Sequence, residues 1–478
     1  MTQPPVAPAG QQMADRALWL AVLVAAVAAV LAAAAGVPTH ATYGARTTAD
    51  EPQYLLTAIS LASDRDLDIS DELDAQRWRA FHEVALPQQT RALAGGRRIS
   101  PHDPLLPMVT APAVALGGWI AAKWMLVAVA GVTAALLVWT AVRRLAVRPR
   151  TAGLVVGVLA ASVPLAPYGS QVYPELPAAL AVTVALSALL APVRTAGAVT
   201  VVASCVALPW LGVKYAPVAM ALAGAVALRL WRDQRRWTAF TLAGGLAVAG
   251  VAYLVVHQVV WTGWTVYASA DHFVDSGELG VVGFAPDYGA RSVRLAALLT
   301  ERSFGIAAWQ PAWLLAVPAV TALLRARPTG WGALAATLAA GWMTATFVAL
   351  TMAGWWFPGR QVVVVLPAVV LATAWWLDGH VRARHVFTVA GLLGVATWLW
   401  LTVEAATGSL TLVVDFFDTT NPLYRGWRWL LPDFLTVTPG TWVRHVVWSV
   451  ILVAMAVAGW RRSDTNAHAD APITVTAP

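Results

Sequence analysis

Residues 47–68 read TTADEPQYLLTAISLASDRDLD. They begin about ten residues after an apolar run, 17–36, that is long enough to cross a bilayer as a helix of about 20 residues. A chain that has just left a membrane here places two adjacent carboxylates, Asp50 and Glu51, then a proline, then a segment with Leu55, Ile59 and Leu61 largely on one helical face. One reading is local. Asp50 opens a helix as its N-cap, Pro52 sits in the first turn, Gln53 reaches back, and Thr48 and Glu51 have the spacing of a capping box. The helix would then lie on the membrane surface. The other reading needs a carboxylate at headgroup depth for chemistry. The two are compatible, because one acid can start a helix and still face a cavity.

The rest of the chain supports a membrane setting. Of 478 residues, 59% are hydrophobic and 12% charged, about half the charged share of a soluble domain. The apolar residues fall into blocks that predict an all-α, polytopic protein of about 12 transmembrane helices, at 17–36, 119–141, 152–168, 175–192, 196–211, 216–231, 238–258, 305–324, 331–353, 361–377, 386–403 and 443–460. Between them, Arg143, Arg144, Arg148 and Arg150, then Arg232, Arg235 and Arg236, Arg325 and Arg327, Arg382 and Arg384, and Arg461 and Arg462 all fall on one side. Short basic loops stay cytoplasmic, so both termini are expected there and the acidic loops outside. The net charge of +7 is therefore a topology signal, and no nucleic-acid partner is expected. The first span is long for a signal peptide and reads as an uncleaved anchor.

Four regions follow: a cytoplasmic N-terminal tail, 1–16; a membrane module, 17–380, including the long external loop 37–104; C-terminal helices, 381–462, with external loop 404–442; and a polar tail, 463–478, expected to be disordered. The external loops 37–104, 259–304 and 404–442 carry most of the polar mass. The apolar segment from Pro104 to Trp119 abuts the second span. As a full crossing it would put the Arg143–Arg150 cluster outside, so it is expected to be a half-helix or surface helix joined to that span at Gly117-Gly118.

The run Asp50-Glu51-Pro52-Gln53-Tyr54 resembles the acidic motif of the GT-C superfamily of membrane glycosyltransferases, in particular the protein O-mannosyltransferases and the lipid A aminoarabinose transferase. Further short stretches resemble uncharacterised bacterial members of that group: Ser100-Pro101-His102-Asp103-Pro104, Gln171-Val172-Tyr173-Pro174-Glu175, Pro209-Trp210-Leu211 through Lys214-Tyr215, Arg302-Ser303-Phe304-Gly305, and Trp355-Trp356-Phe357-Pro358-Gly359-Arg360. Together they touch most of the first 380 residues; the last hundred carry no such stretch. The resemblance implies a GT-C-like helical fold in a bacterial plasma membrane. It implies transfer of a sugar from a polyprenyl-phosphate donor to an envelope glycan, lipid or protein on the outer face. It marks Asp50 and Glu51 as catalytic, with the first acid as the base, and no metal or other cofactor in catalysis.

Each remaining candidate has a plain alternative. Lys214, one of two lysines, faces outward against the charge rule: it snorkels to headgroups, or it holds a donor phosphate. Arg360 follows an interfacial aromatic belt and suits a phosphate clamp; Arg302 near Phe304 is a weaker version. His102 can donate to a phosphate or orient Asp50, and Asp103 can simply open the half-helix or contact the substrate. Glu175 suits the helix dipole or binds sugar hydroxyls; Tyr54 and Tyr173 belong to the motifs as substrate contacts. Asp66-Leu67-Asp68 has metal-binding spacing but lies in a polar surface stretch that favours solvent or capping. Cys205, the single cysteine, excludes a disulfide framework and reads as a small core residue. A flippase or transporter would put charges within spans, and only Lys123 and His257 lie near span ends. A non-catalytic scaffold predicts that the acids only cap helices, and a ligase using diphosphate-linked glycans fits the early acidic loop less well.

Overall fold

The computed structural model describes residues 9–192, 194–275, 277–283 and 285–462; most of the N-terminal tail and the whole of 463–478 lie outside them. The first half of the chain forms α1 (Ala9–Gly36), α2 (Glu51–Ser63), α3 (Ser70–Asp74), α4 (Leu105–Leu145), α5 (Pro149–Ala160), α6 (Leu165–Tyr168), α7 (Glu175–Leu189), α8 (Thr195–Leu211), α9 (Ala216–Arg232) and α10 (Arg236–Trp261). The second half forms α11 (Tyr288–Arg291), α12 (Arg294–Thr300), α13 (Ile306–Trp309), α14 (Ala316–Ala326), α15 (Trp331–Met343), α16 (Leu366–Gly379), α17 (Val381–Ala406), α18 (Pro422–Trp427) and α19 (Pro439–Arg462). Among the described residues the only β structure is three isolated bridges.

Seven helical stretches are long and apolar enough to cross a membrane, and five shorter apolar helices accompany them. The protein is thus a multi-pass helical membrane protein. The sequence blocks recur as helices, and two of them are interrupted. The block 152–168 breaks after Ala160: Pro164 has no N–H to continue the α5 ladder, and the chain restarts as the single turn α6. The block 305–324 starts as the single turn α13, and Gln310-Pro311 interrupts it before α14.

The Pro104–Trp119 segment is a half-helix joined to the second span. α4 runs through both, and its backbone leaves helical geometry at Gly117 and Gly118. Gly118 has φ +65° and ψ −164°, which L side chains rarely adopt. Small residues set the closest helix contacts: a Cβ on Gly153 of α5 would lie 3.1 Å from Ala21 Cβ of α1, and one on Gly131 of α4 would lie 2.7 Å from Val30.

α2 is set deeper than a surface helix. It packs on α4, and its first eight residues, Glu51 to Ala58, are all buried. Its polar residues Gln53 and Thr57 are covered as fully as Leu55 and Leu56. The three long loops, 37–104, 259–304 and 404–442, interlock with one another. Gln89 and Arg91 exchange backbone hydrogen bonds with Asp271 and Ser269, and Trp261 Nε1 donates to Ser100 O. Leu412 and Val413 donate to His40 and Ala41, and Arg302 donates to Pro432. The N-terminus of α2 is thereby fixed between the bundle and a continuous loop cap.

Candidate active site

The two acids of the opening stretch divide their work. Asp50 occupies the N-cap position of α2, yet its side chain makes no cap hydrogen bond. Glu51 does not cap the helix either; the first-turn N–H groups of Gln53 and Tyr54 bond to Asp50 O. The Glu51 carboxylate accepts from Thr48 N at 3.3 Å and from Val172 N at 2.8 Å, so it ties the start of α2 to the strand-like link before α7. Glu51 is fully buried, and burial pushes its carboxyl above the ordinary value.

The Asp50 side chain, 22% exposed, turns to Arg360, whose guanidinium donates to it through Nη2. Arg360 Nε donates to Glu175 Oε1 at 2.9 Å, and Lys214 Nζ donates to the same oxygen at 2.7 Å. Two carboxylates and two cations therefore form one chain: Asp50, Arg360, Glu175, Lys214. Glu175 has no exposed side-chain surface, and its Oε2 has no hydrogen-bond partner. Lys214 keeps 27% of its side chain exposed. The guanidinium is sandwiched between aromatic rings, 4.5 Å from the centroid of Tyr173 and 5.0 Å from Trp356. Burial acts to raise the Asp50 carboxyl, but Arg360, then His102 and Lys214, outweigh it and hold Asp50 well below the usual carboxylate range.

The surrounding residues position this chain. His102 Nε2 lies 4.0 Å from Asp50 and 3.2 Å from Gln89 Oε1, while Gln89 donates to Ala49 O next to Asp50. Burial lowers the His102 imidazole below its ordinary value, against the opposing pull of Asp50. Tyr54 stacks on His102 with centroids 4.7 Å apart and meets Tyr173 edge-on at 6.5 Å. The Tyr173 hydroxyl donates to Thr48 O. Asp103 does more than open α4. It accepts from Val213 N at 2.9 Å, fixing the turn that carries Lys214, and from the Tyr253 hydroxyl at 2.9 Å.

Nine of the ten sequence candidates thus meet around the N-terminus of α2: Asp50, Glu51, Tyr54, His102, Asp103, Tyr173, Glu175, Lys214 and Arg360. Arg302 does not join them. It pairs with Asp433 at 2.7 Å and, with its own N–H donating to Pro432 O, anchors the loop 404–442. Asp66 and Asp68 are spent on the backbone: Asp66 accepts from Ser60 Oγ and Asp68 N, and Asp68 from Ser70 and Arg98 N. Lys123 donates to Arg46 O and is buried.

Sequence reasoning passed over Gln89, Trp356 as an Arg360 partner, and an aromatic stack on α10. Tyr253, His257 and Trp261 recur every fourth residue, with His257 stacked on both neighbours and its Nε2 3.3 Å from Asp103. That spacing inside an apolar helix was a usable signal. Beside this stack an apolar groove of about 550 Å³ is lined by Leu105, Met108, Ala203, Val206, Ala207 and Trp210. It opens two residues along α4 from Asp103.

Fold and site together define a multi-pass helical membrane protein with a charge-balanced carboxylate–cation chain at the edge of its bundle. No protein-family model matches the sequence, and no curated protein matches it. Among solved structures it is similar to the crystal structure of ArnT from Cupriavidus metallidurans bound to undecaprenyl phosphate, with 17% sequence identity and a TM-score of 0.48, over 92% of this chain and 71% of that one. A likeness this distant transfers no chemistry, so function is argued below from this chain's own residues.

Proposed function

We propose that this protein is an integral membrane glycosyltransferase of GT-C type, transferring a sugar from a polyprenyl-phosphate donor to an acceptor hydroxyl on the outer face of a bacterial plasma membrane. The observation that carries the proposal is the division between the two acids: Glu51 is buried and bonded to the backbone of Thr48 and Val172, whereas Asp50 makes no cap bond, is partly exposed and is aimed at Arg360. Neither carboxylate is spent on capping the helix.

A lipid-linked donor brings an anionic phosphate and an apolar tail together. Lys214 and Arg360 suit the first, and the groove beside Trp210 suits the second. In the proposed step the acceptor oxygen attacks the anomeric carbon and its proton passes to Asp50. The bond from that carbon to the phosphate oxygen breaks, its electron pair stays on the phosphate, and Lys214 and Arg360 neutralise the departing anion. A single displacement inverts the anomeric centre. No metal is needed in this step.

The pairing also sets an order. While Arg360 holds Asp50, the carboxylate is a weaker base than a free one. A donor phosphate that takes over the guanidinium leaves Asp50 more basic, so the donor binds before the acceptor is activated.

Lipid extracts test the proposal. Cells lacking the gene should accumulate a polyprenyl-phosphate sugar, visible by mass spectrometry, that disappears when the gene is restored. A lipid profile unchanged by deletion would contradict it. A flippase would also cause accumulation, but a reconstituted flippase moves labelled lipid without forming a glycosidic bond.

A further inference from the structure

At the far end of α2 from Asp50, three carboxylates converge. Oxygens of Asp64, Asp71 and Glu72 lie within 4.8 Å of one another. Asp64 is the C-cap of α2, and Asp71 and Glu72 are in the first turn of α3. Asp64 and Asp71 are exposed, whereas the Glu72 side chain has no exposed surface. Neither Glu72 oxygen has a hydrogen-bond partner. The nearest cationic group, Arg77 Nη1, stands 3.7 Å from Oε1, beyond hydrogen-bonding distance.

Ordinary explanations do not account for this arrangement. A carboxylate at a helix C-terminus opposes the dipole, so Asp64 gains nothing there as a cap. The neighbouring Asp66 and Asp68 are spent on local backbone bonds, but Glu72 is not. A buried carboxylate without donors, beside two more, is costly unless something positive or a proton sits between them.

We propose that Asp64, Asp71 and Glu72 bind one hard divalent cation of the Ca²⁺ type, which fastens the C-terminus of α2 to α3. The donor set is all oxygen, which suits Ca²⁺ or Mg²⁺ and disfavours softer metals. Two exposed ligands leave room for water to complete the shell, and Ca²⁺ tolerates such irregular geometry better than Mg²⁺. Three carboxylates exceed the ion's charge by one, which Arg77 offsets. α2 has 13 residues, so the ion would sit about 20 Å from Asp50 along the helix axis. It is therefore structural, takes no part in the proposed transfer, and stands or falls separately from that proposal.

Equilibrium dialysis of the purified full chain with ⁴⁵Ca²⁺, after stripping with EGTA, tests the site directly. The expected result is one Ca²⁺ per chain in the wild type and in Asp74→Asn, and none in Glu72→Gln or Asp71→Asn. The unfolding midpoint of the wild type, followed by tryptophan fluorescence, should rise saturably by about 2–4 °C with Ca²⁺, and that of Glu72→Gln should not respond. Stoichiometric binding of neither Ca²⁺ nor Mg²⁺ to the wild type would overturn the proposal. So would a metal-insensitive wild type combined with a Glu72→Gln variant of higher midpoint, because that pattern identifies a shared proton in place of an ion.

Discussion

At the residue scale, the account rests on two adjacent acids doing different things. The sequence allowed either to cap α2, since Asp50 and Glu51 both have suitable spacing. In the structure neither does, because partners far along the chain claim both: Val172 takes Glu51, and Arg360 takes Asp50. No local pattern encodes that. Glu51→Gln should accordingly lower stability by about 2 kcal/mol, the scale of a lost charge-assisted hydrogen bond, while the folded fraction keeps transfer within about tenfold of wild type; melting midpoints and rates per folded molecule check this. Lys214→Met should lower kcat/KM for the donor about 100-fold, as expected for removing one preorganised charge from a leaving group. Equal turnover in that variant would remove Lys214 from the phosphate site. Glu301 offers a pH test outside the cluster. It is buried in the loop before α13, with Oε2 accepting from Ser303 N and Phe304 N and Oε1 unpartnered. Burial pushes its carboxyl from 4.5 up to about 7. An acid whose folded value is raised holds its proton better folded than unfolded, so it costs nothing below pH 4.5 and destabilises progressively as pH rises to about 7. Glu301→Gln removes that cost. Relative to wild type it should gain stability between pH 5 and pH 8, up to about 3 kcal/mol, and a pH-independent difference between the two would refute this.

At the element scale, hydropathy and glycine placement were legible. The break in α4 fell where Gly117-Gly118 and the charge rule put it. Gly118→Ala should cost about 1–3 kcal/mol from backbone strain alone, because a Cβ there would meet no atom within 4 Å. Since Asp103 sits just ahead of α4 and holds the Lys214 turn, the same substitution should weaken donor binding as well, measurable as a raised KM. The depth of α2 was not legible. Its apolar residues suggested one buried face, but the interlocked loops cover the polar face too, and that covering depends on contacts such as Gln89 to Ala49 that join segments 40 residues apart. The role of Arg302 was hidden for the same reason: Asp433 lies in a stretch without any recognised motif.

At the scale of the whole molecule, the separation of a basic side from a loop-capped side is a physical statement about topology. The single native cysteine, Cys205, is buried, so introduced cysteines report cleanly. Ala75→Cys in the first long loop should react with a membrane-impermeant maleimide on intact cells, and Gln234→Cys, beside Arg235 and Arg236, only after permeabilisation; the reverse pattern would invert the proposed orientation. The loop cap and the bundle together bring residues from positions 50, 102, 175, 214 and 360 to one place, and the function proposed here depends on that convergence being chemical. The most direct measurement uses purified protein in liposomes carrying the polyprenyl-phosphate sugar that accumulates without the gene, with acceptor supplied and glycosidic product counted. Asp50→Asn, with its melting midpoint near that of wild type, should form product at least about 100-fold more slowly. Undiminished product formation by a folded Asp50→Asn protein would contradict the account.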